Sequence, residues 1–163
     1  MAVRPIPDPG VLKQADAFRL ASQMLNMCPE SAMSIPAVVN AAFALELYLK
    51  SLNMEWHTAE PSTLGGKKAW LASRTVLKKG HKPSKLYKAL DQAVKDALEK
   101  KYRERFVEAS DTPLKKTLKS YDGLFQDWRY IFEGHASTVE LQRLFAVLQF
   151  FSEELNALPQ KWA

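Results

Sequence analysis

A chain of 163 residues, 47% hydrophobic and 25% charged, is long and apolar enough for one domain with one core, and we read residues 1–163 as that domain. Its single cysteine, Cys28, excludes an internal disulfide and a cysteine zinc site; the reading is a small buried hydrophobe in a reducing, cytoplasmic protein. The proline-rich start, Met1 to Pro9, does not resemble a signal peptide, and no stretch is expected to approach the ~18 apolar residues of a membrane span. The net charge of +5 is unevenly placed: Lys67 to Lys119 holds sixteen Lys and Arg against six Asp and Glu, while the rest holds seven against twelve. A basic middle suits an anionic partner such as RNA; it also suits a solvated helix or the acidic part of a second copy.

The periodicity predicts helices nearly throughout and no substantial sheet. Pro9 fits the first turn of a helix running to about Met27, with Leu12, Ala15, Phe18 and Leu25 on its apolar side. Cys28-Pro29-Glu30 breaks it. Ser34 and Pro36 read as cap and first turn of a second helix striped by Ile35, Val38, Ala42, Leu45, Leu49 and Leu52. Residues 54–80 form the least regular region, read as a long surface connection with a short helix at Lys68 to Leu77. Gly65-Gly66-Lys67-Lys68 lacks the spacing and the Ser/Thr of a phosphate-binding loop. Pro83-Ser84 opens a helix with Leu86, Leu90, Val94 and Leu98 in register, continuing through Glu108. Thr112-Pro113 starts another, which bends near Gly123 and stops at Gly134. Ser137-Thr-Val-Glu140 is a capping box for the last helix, whose apolar residues Leu141, Leu144, Val147, Leu148, Phe150, Phe151, Leu155 and Leu158 cover more than one face. That width predicts burial on two sides, the second against a partner copy.

Two charges interrupt apolar stripes. Glu46 shares a helical face with Val39, Ala42, Phe43 and Leu49, and Arg129 shares one with Phe125, Trp128 and Phe132. Such charges either pair locally, Glu46 with Lys50 and Arg129 with Glu133, or meet in a common polar cleft that includes Tyr130. His81 either caps the helix beginning near Pro83 or turns inward to Glu46. Three widely spaced histidines make no metal site, and no cofactor motif is present. Trp56 and Trp70 flank the lysine-rich connection and are candidates for base stacking, while Trp128 reads as core.

The order Ala44-Leu-Glu-Leu-Tyr-Leu-Lys50, then Gly80-His81 with Leu86 and Leu90, then Asp127-Trp-Arg-Tyr-Ile-Phe-Glu133, resembles the HEPN-domain proteins over roughly Ile35 to Phe151. The resemblance implies an all-α, up-and-down bundle of about five helices, commonly a homodimer. It also implies an RNA-associated role in defence or stress, often beside a nucleotidyltransferase partner. Arg129-Tyr-Ile-Phe-Glu-Gly-His135 fits the family's Arg-to-His spacing. By that resemblance the chain is a metal-independent endoribonuclease in which His135 takes the ribose 2′-hydroxyl proton and Arg129 stabilises the developing charge. Glu46, His81, Tyr130 and Glu133 would support the cleft, and Lys67, Lys68, Lys78 and Lys79 would bind RNA. The family position after the Arg is usually polar; Tyr130 there, and Gly134 ahead of His135, fit instead a non-catalytic interaction bundle or nucleotide-binding module.

Overall fold

The computed structural model describes residues 7–58, 62–64, 67–69, 72–76, 78–107, 112–134 and 138–158; no side chain is described within 56–76 or at position 132. The described residues are mostly helical. Helix α1 (Pro9–Asn26) starts where the sequence predicts. Asp8 precedes it and accepts a hydrogen bond from the Val11 backbone N–H (2.9 Å), and Pro9 takes the first turn, where its missing N–H leaves nothing unsatisfied. Helix α2 (Ser34–Ser51) follows a 3-10 turn at Ser31–Met33. Ser34 lies inside the helix rather than capping it, and its hydroxyl donates to Ser31 O (2.7 Å). Cys28 is exposed between the two helices, contrary to its reading as a buried hydrophobe, because α1 has already ended.

α2 is the central element. Eleven of its eighteen residues are buried, and it packs against α1, α3, α6 and α7. The run Ser31–Ser51, with a mean hydropathy of 1.5, is long and apolar enough to cross a membrane by length and composition, against the sequence expectation that no stretch approaches a span. Here 56% of it is buried inside the fold, as a helix apolar all round requires when it serves as a core.

After α2 the chain forms two small antiparallel sheets of two strands each: β1 (Met54–Thr58) pairs with β4 (Ala72–Val76), and β2 (Ser62–Leu64) with β3 (Lys67–Ala69). The short helix expected at Lys68 to Leu77 is therefore replaced by strands. Leu64 pairs with Lys67, leaving only Gly65-Gly66 between the arms, a dipeptide suited to tight hairpins.

Helices α3 (Pro83–Lys88) and α4 (Gln92–Arg105) divide a segment that the Leu86–Leu98 register predicts as continuous. Asp91 is extended there (φ −57°, ψ 146°), and its carbonyl receives the first α4 bonds from Val94 and Lys95. The expected bend at Gly123 is a break between α5 (Leu114–Ser120) and α6 (Leu124–Arg129). A 3-10 turn at Ile131–Glu133 then ends at Gly134, whose φ of +87° suits a residue without Cβ. The last helix, α7 (Leu141–Asn156), begins after Glu140, later than the capping box implies; Ser137 lies outside the described residues.

Leu144, Val147, Leu148, Phe150, Phe151 and Leu155 of α7 are all fully buried within the single chain. These six residues are thus covered within the chain, by α1, α2 and the aromatic rings of Tyr102 and Phe106, while Leu141 is only partly buried. Leu158, just beyond α7, remains exposed.

Three helices are tied by Asp16 on α1. Its carboxylate accepts from Tyr48 (2.5 Å) on α2 and from Ser152 (2.6 Å) and Asn156 (2.9 Å) on α7. Burial alone would raise its pKa. The hydrogen bonds from Ser152, Tyr48 and Asn156, with the Arg19 charge, outweigh burial and hold it below its ordinary value of 3.8. A depressed folded pKa contributes stability that is complete above the unfolded value and lost as pH falls through the folded one. Urea midpoints should therefore drop below about pH 4. Asp16→Asn should be less stable at neutral pH by roughly 1–3 kcal/mol and should show a flatter acid limb; an unchanged acid limb would remove Asp16 from the account.

Candidate functional site

The site grows from the embedded charge on α2. Glu46 is 1% exposed. One carboxylate oxygen, Oε1, accepts from Lys50 Nζ at 2.5 Å, one turn along the same helix. The other, Oε2, lies 2.9 Å from His81 Nδ1. Both readings of Glu46 hold together: it pairs locally, and it also receives His81 from outside its helix. His81 turns inward rather than capping α3.

Local geometry explains how His81 arrives there. Gly80 has φ +123°, a conformation that a side chain would strain, and it turns the chain just before the histidine. Pro83 opens α3, and Asp122 grips the second residue of that helix across the fold: Ser84 donates its N–H to Oδ1 (2.9 Å) and its hydroxyl to Oδ2 (2.6 Å). Buried Asn53 donates to both Leu49 O (2.9 Å) and Leu86 O (3.3 Å), locking the end of α2 to α3. The His81 ring stacks on Phe125 at 5.6 Å and 17°. It is thus held by a bond at one edge and a ring on one face, with its side chain 52% exposed.

Arg129 approaches the same ring but not Glu46. Its guanidinium lies 5.8 Å from the Phe125 centroid and 5.5 Å from that of Tyr130, and the residue is exposed. No ion pair joins it to exposed Glu133. Arg129 therefore does not meet Glu46 directly in a common cleft: the partners of Glu46 are Lys50 and His81, and Arg129 stands outside, over the faces of Phe125 and Tyr130. Its removal would strand no buried charge.

Beside His81 the surface forms a recess of about 320 Å³ lined by Lys78, Lys79, Gly80, His81, Lys82, Lys85, Leu86 and Gln126. Among the described residues, four lysines and no carboxylate line it. A second recess, of about 330 Å³ between α3, α4 and α5, sets Asp96 and Glu99 among its lysines and so presents no uniform positive field. The anion-attracting chemistry lies at the first.

Of the sequence candidates, the structure brings Lys78, Lys79, His81 and Glu46 together, and places Arg129 and Tyr130 around Phe125. Lys67 and Lys68 lie in β3, their side chains outside the described residues, as are those of Trp56 and His57; His135 and Trp70 are outside altogether. Trp128 is partly buried against the core. Sequence reasoning missed Lys82 and Lys85. Their signal was present in Lys78-Lys79-Gly80-His81-Lys82, a basic run around a histidine, with Lys85 one turn beyond.

Compared with known proteins, the chain matches no family model, and no curated protein or solved structure is significantly similar to it.

Proposed function

We propose that this chain is an RNA-directed helical bundle of the HEPN kind, a metal-independent endoribonuclease that receives the phosphate backbone in the recess around His81. The observation that carries the reading is the set of four lysines, Lys78, Lys79, Lys82 and Lys85, gathered with no carboxylate among the described lining residues, around a histidine anchored on a buried glutamate. Arg129, exposed next to Phe125, is free to stabilise charge developing on a phosphate, and His135 is the histidine at the family spacing. A homodimer, a nucleotidyltransferase partner and a role in defence or stress belong to the same reading.

The test is binding of a fluorescent single-stranded RNA across salt concentrations. Each phosphate neutralised contributes about 0.7 to the slope of log K against log salt. The double reversal Lys78→Glu/Lys82→Glu should weaken binding for every sequence and flatten that slope by about 1–2. Unchanged affinity and slope would move the RNA surface elsewhere. A second reading, a non-catalytic nucleotide-binding module, is favoured by the recess volume of about 320 Å³, enough for one nucleotide. Mononucleotide binding that matches or exceeds RNA binding, without cleavage, would select it.

A further inference from the structure

We infer that His81 is the group that takes the ribose 2′-hydroxyl proton, and that Glu46 is its positioning residue. The inference rests on the RNA-cleaving reading above and replaces His135 in the proton-accepting role. A general base needs a defined tautomer, a fixed ring and an open nitrogen facing the substrate. His81 has all three. Its Nδ1 edge is turned to Glu46 Oε2 at 2.9 Å, and a carboxylate accepts but does not donate, so Nδ1 carries the hydrogen. In the neutral ring the lone pair then sits on Nε2. The Phe125 ring, stacked at 5.6 Å, holds the imidazole plane. Nε2 lies at the far edge of the ring from Glu46; among the described residues nothing bonds to it, and the ring is half exposed at a recess walled by Lys78, Lys79, Lys82 and Lys85.

Glu46 suits the positioning role because it is buried and already fixed by Lys50 at 2.5 Å, so it cannot swing away. Its negative charge stabilises the imidazolium that forms when the proton arrives. The step balances as a transesterification. His81 Nε2 takes the 2′-hydroxyl proton, O2′ forms a bond to the adjacent phosphorus, and the bond from phosphorus to the 5′-oxygen breaks. The departing 5′-oxygen takes a proton from water. The products are a 2′,3′-cyclic phosphate and a 5′-hydroxyl end, and the lysines offset the extra negative charge of the phosphorane. A strand lacking the 2′-hydroxyl would bind and remain intact.

The experiment measures single-turnover cleavage of a single-stranded RNA in chelator, together with binding of its 2′-deoxy counterpart and thermal midpoints. His81→Asn keeps a donor near the Nδ1 position and removes Nε2; His81→Gln is the second variant. Both should lose at least about 100-fold in cleavage, the usual contribution of general base catalysis, with 2′-deoxy strand binding and midpoint nearly unchanged. Glu46→Gln should keep part of the rate and Glu46→Ala should lose more of it, both in the cleavage step and with 2′-deoxy strand binding unchanged, a graded rescue by the conservative variant that a merely structural role would not produce. Cleavage retained in both His81 variants, or wild type that binds RNA and cuts none, overturns the inference and leaves the binding reading intact. Wild type that neither binds nor cuts RNA overturns both.

Discussion

Phe150→Ala should lower the unfolding free energy by about 3–5 kcal/mol, and Phe150→Glu should abolish the cooperative transition. Phe150 is fully buried within one chain. Its ring meets Tyr102 at 5.6 Å, Phe106 at 6.1 Å and Phe151 at 5.4 Å, so it joins α7 to α4 and to the end of that helix. Truncation leaves a cavity among three aromatic rings that cannot all close in. A charge there has no partner. Against the ~5–15 kcal/mol that holds a domain together, either change is large. Its sequence position alone suggests a different outcome, dissociation of a dimer with the fold intact. Urea denaturation with circular dichroism decides between them: a native-like midpoint for Phe150→Glu would show that the side chain is not in the core.

Lys50→Met should cost about 3 kcal/mol, although lysine to methionine on a half-exposed helix normally changes little. Lys50 is 19% exposed and faces a carboxylate that is 1% exposed. Removing the ammonium leaves Glu46 with the His81 bond alone. The penalty belongs to the stranded charge rather than to the lost contact, so it should be relieved by removing that charge. Adding Glu46→Gln to Lys50→Met should therefore recover part of the lost stability, and the double-mutant cycle should show a coupling of roughly 1–3 kcal/mol. Additive effects would mean that the two side chains do not meet.

The helices with one apolar stripe were the most legible parts of the sequence. α1 begins at Pro9 and ends at Asn26 because Asp8 and Pro9 carry a local capping chemistry that needs no tertiary context. The α3–α4 break was hidden, since Leu86, Leu90, Val94 and Leu98 keep four-residue spacing across it. The strands were hidden for a different reason: Met54-Glu-Trp-His-Thr58 mixes polar and apolar residues without the strict alternation that marks a strand. The width of α7 was legible, and six of its apolar residues are buried within the chain, but periodicity does not say whose side chains cover a face.

At the site, Glu46 stood out because a charge in a core stripe demands a partner. Lys50 could be found at four-residue spacing. His81, thirty-five residues away, arrives through the Gly80 turn and the Asp122 grip on Ser84, which no local pattern encodes. Arg129 was expected at Glu46 because it too interrupts an apolar stripe; its helix ends at that residue, so the side chain reaches solvent. Asp16 passed unremarked because an aspartate on a surface helix looks solvated until Tyr48, Ser152 and Asn156 converge on it.

The central claim is that RNA meets the protein in the lysine recess around His81. Its most direct test is an NMR titration of the whole chain with a short single-stranded RNA bearing 2′-O-methyl groups, which binds and cannot be cut. The account predicts that the largest shifts fall on Lys79, Gly80, His81 and Lys82, with the His81 ring signals moving as saturation is reached, and that Lys78→Glu/Lys82→Glu moves saturation to higher RNA concentration. Shifts confined to α4, or none at RNA concentrations that saturate a basic surface, would contradict it.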